Sequence, residues 1–359
     1  MKEMIIRKAA ARIWRARLTQ PFRTAKGQHD LLENVLFSIE LSNGVRGYGE
    51  AAVATHITGE TVPGTLRNLR IAAGQLRGKP LGDIRKLAES FKEKFPGNPC
   101  ARAAVEMALL DAVTRGKKIP LWRFFGTKPR TLRSDMTVVL GDVADAVAMT
   151  REILRRGIRS FKVKIGRNFG EDLKRVAAVA QIAKKYPLYL DANQGFTAVQ
   201  TLKFLKELAL LKIRPALIEQ PVPKEDLEGL KRVTRESTVP VCADESASSI
   251  EDVRLLIREK AADVINIKFM KTGILESWEI AKVARKHRVK LMIGTMMETA
   301  LATTAAAHFA AGVGGFDFID LDAPLFMDQK VTRGFHVSAG GVYNLRKVRA
   351  GIGVTPLLP

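Results

Sequence analysis

The feature that most constrains the fold is a series of eight short apolar runs, each followed by a charged segment with helical spacing. The runs recur at intervals of roughly 25 residues, which fits one strand and one helix per unit. Eight such units favour a closed parallel barrel over an open sheet. The runs are SDMTVVL near 134, SFKVKI at 160, YPLYLDAN at 186, ALIEQPV at 216, VPVCADE at 239, DVINIKF at 263, KLMIGTM at 290 and FDFIDLD at 316.

A different pattern precedes these runs. NVLFSIEL alternates apolar and polar residues, Ser42-Asn43-Gly44 supplies a hairpin turn, and VRGYGEA is predicted as the return strand. Apolar residues at helical spacing follow over 101–115, and Gly116 ends that helix. We therefore expect an α+β domain over 1–128, the barrel over 129–325, and a segment over 326–359 that returns to the first domain.

Composition excludes several classes of protein. Cys100 and Cys242 are the only cysteines, so a disulfide framework is excluded and a reducing cytoplasm suits the chain. The start, MKEMIIRKAAARIWRARL, lacks the apolar core of a secretory signal and is predicted as an edge strand. The uncharged stretch 299–316 is rich in Ala, Gly and Thr and contains His308, which favours a buried helix over a membrane span. We expect a cytoplasmic protein with no membrane partner.

The net charge of the chain is unusually positive. The chain has 59 Lys and Arg against 37 Asp and Glu, a net charge of +22. The basic residues are scattered, and no tract interleaves them with aromatic residues, so a solvated surface is favoured over a nucleic-acid site. The alternative from a different class is a polyanion-binding barrel that has lost catalysis, and steeply salt-dependent DNA binding would mark it.

The ends of the predicted strands are ionic. In barrels of this type the working residues lie at the carboxyl ends of the strands. From Lys164 to Asp320 the successive spacings are 27, 28, 25, 24, 30 and 22 residues, one step per unit. Buried charges are costly unless they are paired or bind a metal, so the ring predicts a site. The strand-end residues are Lys162, Lys164, Asp191, Glu219, Asp244, Lys268, Glu298, Asp320 and Asp322.

Three of these acids, Asp191, Glu219 and Asp244, end consecutive strands and would converge on one point. A set of oxygen ligands without His or Cys favours a hard ion, Mg²⁺ first, with Mn²⁺ or Ca²⁺ as alternatives. For each acid alone, capping a helix or forming a salt bridge on the rim is the competing interpretation.

The lysines predict acid–base chemistry. Lys162 and Lys164 are two apart on one strand and face the same side, while Lys268 comes from nearly the opposite wall. Two such lysines would reach both faces of a carbon acid. A lysine must be neutral to act as base, and we expect positive charge from Lys162 and the metal to lower its pKa. The competing interpretation of Lys-x-Lys is a solvated strand edge.

Asp320 and Asp322 share one face of the last strand. A carboxylate pair without a third ligand is suited to an ammonium group of a substrate. A loop-turn pair before Pro324 is an equally good interpretation of the spacing.

With these residues in place, the chain resembles the enolase superfamily, in its muconate-lactonizing-enzyme subgroup, and within it the dipeptide epimerases. The resemblance implies an α+β capping domain on a modified (β/α)7β barrel of the TIM type, with the tail rejoining the cap. The motifs that carry it are PFRTAKG, GYGEA, AAVEMALLDA, FKVKIG, LDANQGF, IEQPV, ADES, NIKFMKTG, GTMMETALATTAAAHFA and DLDAP.

The resemblance also implies roles. The family binds a substrate carboxylate to Mg²⁺, removes the α-proton with one lysine, stabilises the enediolate and reprotonates it from the other face. The implied activity is epimerisation of an L,L or L,D dipeptide at its C-terminal residue by 1,1-proton transfer. The implied metal ligands are Asp191, Glu219 and Asp244, the acid–base pair is Lys164 and Lys268, and the supporting lysine is Lys162.

Substrate recognition follows from the same resemblance. Asp320 and Asp322 would hold the dipeptide's ammonium group, which separates epimerases from muconate-type cycloisomerases and o-succinylbenzoate synthase-type dehydratases. Lys26 favours an acidic side chain, whereas Met297 leaves a hydrophobic or broad preference open. We expect a small dipeptide as partner, no nucleic acid, and leave a homo-oligomer open. The implied side-chain contacts are Thr24, Lys26 and Gly27 in the loop after the first strand, with Met297 and Glu298.

Overall fold

The structure is a computed structural model that describes residues 4–24, 27–82, 84–126 and 129–357, without the side chains of residues 20–24, 27–30, 56 and 329. Its first sheet is an antiparallel meander in the order β1-β2-β3, as the alternating pattern predicts. Gly44 has a φ of 81° in the hairpin turn, a conformation that favours glycine. The predicted N-terminal edge strand is confirmed. The strands are β1 (Ile6–Thr24), β2 (Gly27–Leu41) and β3 (Arg46–Ala51).

Five helices of the described chain follow this sheet. They are α1 (Thr55–Thr58), α2 (Val62–Leu76), α3 (Ile84–Lys94), α4 (Pro99–Gly116) and α5 (Trp122–Phe125). The helix α4 confirms the predicted one and is buried along most of its length against β3. A Cβ at Gly47 or Gly49 would overlap the backbone oxygen of Ala108 or Ala104, so glycine permits this close approach.

All eight predicted barrel strands are confirmed. They form one sheet in the order β12-β11-β10-β9-β8-β7-β6-β5, with parallel pairing between neighbours. The strands are β5 (Met136–Val138), β6 (Phe161–Lys164), β7 (Leu188–Asp191), β8 (Leu217–Glu219), β9 (Val241–Ala243), β10 (Val264–Ile267), β11 (Lys290–Gly294) and β12 (Phe318–Asp320). The helices between them are α6 (Val143–Arg155), α7 (Phe169–Ala183), α8 (Ala198–Leu210), α9 (Leu227–Glu236), α10 (Ile250–Arg258), α11 (Phe269–Thr272), α12 (Ile274–Lys286) and α13 (Ala300–Val313).

Hydrogen bonds join the two end strands of this order. The Asp135 N–H donates to the Ile319 carbonyl at 3.0 Å, and the Leu321 N–H donates to Ser134 Oγ at 2.8 Å. The sheet therefore closes between β5 and β12. Toward the end where the strands begin, the barrel interior contains an apolar cluster. Its residues are Tyr189, Leu217, Cys242, Val264 and Met292.

The C-terminal segment returns to the first domain. Asp111 on α4 accepts from the Ile352 N–H at 2.8 Å and from the Tyr48 N–H at 3.1 Å, which joins the tail, the helix and β3. The proposed domain boundaries fall between α5 and β4, and inside the 3-10 helix Ala323–Phe326. The remaining elements are β4 (Leu132–Arg133), β13 (Thr332–Gly334), β14 (Val342–Tyr343), β15 (Val354–Pro356), and 3-10 helices at Gln329–Val331 and Leu345–Lys347.

The uncharged stretch near residue 300 forms α13, which is buried as predicted. His308 is one of the buried residues of this helix, and its Nδ1 accepts a hydrogen bond from the Trp122 N–H at 3.0 Å. Within the ranges that the structure describes, no helix combines the length and the hydropathy needed to cross a membrane.

Candidate active site

The strand-end charges converge at the mouth of the barrel. Lys162, on β6, is at the centre, because its Nζ lies 2.7 Å from Asp320 Oδ2, 2.9 Å from Asp191 Oδ2 and 2.8 Å from Glu219 Oε2. Its side chain is 3% exposed. One ammonium group therefore connects two sets of acids that come from opposite sides of the mouth.

The first set comprises Asp191, Glu219 and Asp244, here called the β7–β9 carboxylates. All three are fully buried, and strand register places Asp191 beside Glu219. Glu219 accepts from Asn266 Nδ2 at 2.9 Å, and Asp244 contacts Lys268 Nζ at 2.8 Å and Lys271 Nζ at 2.7 Å. Each of these acids thus faces a lysine.

The donor chemistry of the β7–β9 carboxylates suits Mg²⁺, because the set offers only carboxylate oxygens in a buried place. The distances show a difference from the prediction. Among the described residues, the three acids with ligand oxygens within 4.8 Å of one another are Asp135, Asp320 and Asp322. The β7–β9 carboxylates do not meet this distance because each of them contacts a lysine ammonium group instead of the other acids.

The two predicted acid–base lysines come from opposite walls. Lys164 ends β6 and donates to Asp191 Oδ2 at 2.7 Å and to Asn193 Oδ1 at 2.8 Å. Lys268 follows β10, four strands away in the sheet order, and donates to Asp244 Oδ2 at 2.8 Å. A Cβ at Gly294 would lie 2.9 Å from Lys268 Cε, so the glycine leaves room for this side chain.

The pKa of Lys268 differs from the expected direction. Burial lowers it, but the carboxylates of Asp244 and Glu219 outweigh burial and raise the pKa above its usual value. The sequence prediction relied on positive charge from Lys162 together with the metal, and Lys162 alone does lower the pKa of Lys268, but the Asp244 carboxylate is nearer and acts in the opposite direction. Neighbouring carboxylates, Asp191 and Asp320 first, likewise raise the pKa of Lys162 against the effect of burial.

The second set comprises Asp135, Asp320 and Asp322, here called the acid triad. Asp322 accepts from the Thr137 N–H at 2.7 Å, and its side chain, like the other two, is buried. Burial and the neighbouring Asp320 carboxylate raise the pKa of Asp322 to about 6. Asp320 and Asp322 face the cavity, so the turn interpretation of this pair is not needed.

A cavity of about 180 Å³ lies between the barrel mouth and the first sheet. Lys162, Lys164, Lys268, Asp320 and Asp322 line its floor. The opposite wall is mainly apolar, and the residues there are Leu18, Leu31, Leu32, Ala54, Ile57, Met296 and Met297.

The remaining predicted contacts have different outcomes. Met297 lines the cavity, while Glu298 is 1% exposed and accepts from the Met296 N–H at 2.9 Å behind the wall. Lys26 lies outside the described residues. Thr24 ends β1 and Gly27 begins β2, but the surroundings of their side-chain positions lie outside the described part of the chain.

A buried hydrogen-bond network attaches the first domain to this wall. Glu50 on β3 accepts from the Thr299 Oγ1 at 2.6 Å and from the Thr299 N–H at 3.0 Å. Asn34 Nδ2 donates to Glu50 at 2.6 Å and to the Met297 carbonyl at 3.0 Å. The network therefore fixes the position of Met297.

Sequence reasoning missed several residues of the mouth. Lys271 and Asn266 contact the β7–β9 carboxylates, and Asn193 holds Lys164. Asp135 was missed because it precedes its strand, although its parity with Thr137 could have placed it on the inner face. The regular spacing of charged residues at strand ends cannot reveal neutral amides or residues at the starts of strands.

Comparison with known proteins agrees with this architecture. Residues 8–126 match the family described as "Mandelate racemase / muconate lactonizing enzyme, N-terminal domain", and residues 145–357 match "Enolase C-terminal domain-like". The "Hydrophobic dipeptide epimerase" of Citrifermentans bemidjiense is 48% identical over 359 residues, which cover 98% of each chain.

Two solved structures with bound ligands are also similar. The dipeptide epimerase of Enterococcus faecalis V583, complexed with Mg and L-Leu-L-Tyr, has a TM-score of 0.94 and 32% identity and covers 98% of this chain and 100% of its own. A substrate-liganded L-Ala-D/L-Glu epimerase of Bacillus subtilis has a TM-score of 0.96 and 31% identity over 99% and 100% of the two chains. The protein therefore belongs to the enolase superfamily, in its mandelate racemase/muconate lactonizing enzyme branch.

Proposed function

We propose that the protein is a Mg²⁺-dependent dipeptide epimerase that inverts the α-carbon of a dipeptide's C-terminal residue. The observation that carries the proposal is the placement of Lys164 and Lys268 on opposite walls of one cavity that also contains Asp320 and Asp322. Similar proteins named as dipeptide epimerases, one of them complexed with Mg and a dipeptide, support it.

In this proposal the β7–β9 carboxylates hold the metal. A bound Mg²⁺ would act as a Lewis acid on the substrate's carboxylate and so acidify the α-proton. Lys164 removes or returns the proton on one face of the α-carbon, and Lys268 does so on the other. The lysine that acts as base must be neutral, and the charge of a bound Mg²⁺ would offset the carboxylates that raise the pKa of Lys268. Lys162 stays charged and balances the surrounding carboxylates, because it contacts three of them.

Asp320 and Asp322 bind the ammonium group at the other end of the dipeptide. Their buried carboxylates open into the cavity, and among the described residues the nearest cation to them is Lys162. A substrate ammonium group would supply the charge that this side lacks. A cycloisomerase or dehydratase acting on a substrate without an amino group would have no use for this pair.

The apolar wall supports a preference for hydrophobic side chains. Among the described lining residues, the lysines and Glu245 come from the barrel strands and the loops after them. The wall contributes leucine, isoleucine, valine, alanine and methionine, with Glu33 and Asn34 as polar residues. An acidic substrate side chain would meet no described cation there. The name of the 48% identical relative, a hydrophobic dipeptide epimerase, supports the same choice.

The test is a library of L,L-dipeptides incubated with enzyme and Mg²⁺ in D₂O, with deuterium at each α-carbon read by mass spectrometry. We expect deuterium and the L,D epimer from dipeptides with an apolar C-terminal residue, such as L-Ala-L-Leu. A library that exchanges only L-Ala-L-Glu would overturn the side-chain preference. A library with no exchange would favour the cycloisomerase or dehydratase.

Two further parts of the proposal concern the protein's setting. We propose a cytoplasmic location, because Cys100 and Cys242 are both free and buried and a reducing compartment suits them. A homo-oligomer and the absence of a nucleic-acid partner remain expectations, which light scattering and salt-dependent DNA binding would test.

A further inference from the structure

Asp135 lies inside the barrel, one layer below the cavity floor. Thr137 pairs with Lys162 across β5 and β6, so Asp135, two residues earlier on the same face, points inward and nearer the apolar interior. Its backbone N–H is fixed to the Ile319 carbonyl at 3.0 Å. The residue is 0% exposed, and the proposed function gives it no role.

Both carboxylate oxygens of Asp135 are buried without a hydrogen-bond partner. The ionisable groups that face it are Asp320 and Asp322 on and after β12, Lys162 on β6 and Tyr189 on β7. Lys162 is already shared among Asp191, Glu219 and Asp320, so it gives Asp135 no ion pair within 4 Å.

An ionised carboxylate in this place would be buried, unbonded and close to two other acids, which is strongly unfavourable. A protonated carboxyl group has an O–H that needs an acceptor. One oxygen each of Asp320 and Asp322 lies within 4.8 Å of an Asp135 oxygen. Each neighbour already accepts one hydrogen bond, Asp322 Oδ2 from the Thr137 N–H and Asp320 Oδ2 from Lys162 Nζ. Of the two carboxylates, that of Asp320 is within hydrogen-bond reach of Asp135, which makes it the better acceptor.

We propose that Asp135 carries a proton in the resting protein and donates it in a hydrogen bond to Asp320, which positions Asp320 for the substrate's ammonium group. The role rests on the proposed function. Asp135 is a positioning residue, because it acts on the substrate only through Asp320.

This arrangement explains why a third acid is tolerated beneath the pair. As a neutral donor, Asp135 adds no negative charge and stabilises the ionised form of Asp320. The hydrogen bond also fixes the orientation of the Asp320 carboxylate. The carboxylate is therefore already oriented toward the cavity before substrate binds. Burial and the two neighbouring acids favour the protonated form, since both raise the pKa of Asp135.

The kinetic test compares Asp135→Leu with Asp135→Asn on L-Ala-L-Leu. Leucine has a similar size and no donor, whereas asparagine keeps an N–H donor without a charge. We expect Asp135→Leu to raise KM by about tenfold or more, with a smaller change in kcat. We expect Asp135→Asn to recover most of that affinity. Equal loss in both variants would show that an ionised Asp135 is needed, and no loss in Asp135→Leu would show that it is inert.

A second measurement does not depend on activity. The infrared difference between wild type and Asp135→Asn at pH 8 should contain the carbonyl band of a protonated carboxyl group. Its absence would overturn the proposal even if both variants are stable and active. Thermal unfolding of each variant reports whether Asp135→Leu has failed to fold, in which case the infrared result decides.

A metal site at the acid triad is the main competing explanation. Titration with Mn²⁺ should give one equivalent that Asp135→Asn leaves unchanged, because the metal is expected at the β7–β9 carboxylates. A second equivalent that disappears in Asp135→Asn would overturn the proton assignment. Failure of the proposed function is seen separately, as a wild-type protein that exchanges no dipeptide while the infrared band is present.

Discussion

The β7–β9 carboxylates and the acid triad lie on two sides of the barrel mouth and differ in the cations that contact them. The β7–β9 carboxylates contact four lysines, namely Lys162, Lys164, Lys268 and Lys271. The described cation that contacts the acid triad is Lys162, through Asp320. The first side is therefore arranged by charges within the protein, whereas the second is deficient in positive charge. We infer that proton chemistry occurs on the first side and that the substrate's own ammonium group completes the second.

Loss of the metal is expected to have the largest effect on activity, and metal binding should depend on the β7–β9 carboxylates and not on the acid triad. Chelation is expected to reduce epimerisation by about a thousandfold or more, because the metal supplies several kcal/mol of Lewis-acid stabilisation. Asp244→Asn should weaken Mn²⁺ binding, followed by electron paramagnetic resonance, whereas Asp320→Asn should leave it close to wild type. Equal metal affinity in the two variants would remove the distinction between the sides.

Loss of an ammonium-binding acid should give the next largest effect. A hydrogen bond to a charged group contributes about 1.5–3 kcal/mol, so Asp322→Asn is expected to raise KM roughly 10- to 100-fold. The measurement is steady-state kinetics on L-Ala-L-Leu and on the same dipeptide with an acetylated amino group. The acetylated substrate should be poor with wild type, and the variant should lose most of the discrimination. Discrimination that survives in Asp322→Asn would place the ammonium group elsewhere.

The acid triad also predicts a pH dependence. Burial and Asp320 raise the pKa of Asp322 to about 6, and the ionised form is the one that binds an ammonium group. Binding should therefore be complete above this pH and weaken as pH falls through it, with KM rising about tenfold per pH unit below. The profile is measured from pH 4.5 to 8 at saturating Mg²⁺. Asp322→Asn should flatten it, and a KM that falls as pH decreases would contradict this prediction.

The apolar wall should give the smallest effect. Leu31 lines the cavity and is 47% exposed, so a new charge there is well solvated. Leu31→Arg is expected to shift the ratio of kcat/KM for L-Ala-L-Glu over L-Ala-L-Leu by only roughly two- to fivefold. Leu31→Gln is the uncharged control. A shift of equal size in Leu31→Gln would show that polarity, and not charge, sets the preference.

The strands and the charge ring were predictable because period and spacing report them directly. Eight runs became eight barrel strands, and the ends of β6 to β10 meet at the mouth because parallel strands finish at one edge. The buried helix α4 could be predicted in its position, although its packing on Gly47 and Gly49 could not.

Pairing among the charges could not be predicted from spacing. Lys268 follows its own strand, yet Asp244 after the neighbouring strand is one of the carboxylates that raise its pKa against burial, and the spacing alone does not reveal this pairing. Spacing does not single out Asp135 or Asn34, because neither follows the carboxyl end of a barrel strand. Which side chains face a cavity depends on how the two domains dock, and no single segment encodes that.

The assignment of one lysine to each face is the central claim. It is tested by Lys164→Ala and Lys268→Ala, each given the L,L and the L,D dipeptide separately in D₂O. We predict that neither variant epimerises either substrate, and that each still exchanges the α-proton of only the epimer that faces its remaining lysine, the opposite one in the two variants. Epimerisation that persists in either variant would contradict the account.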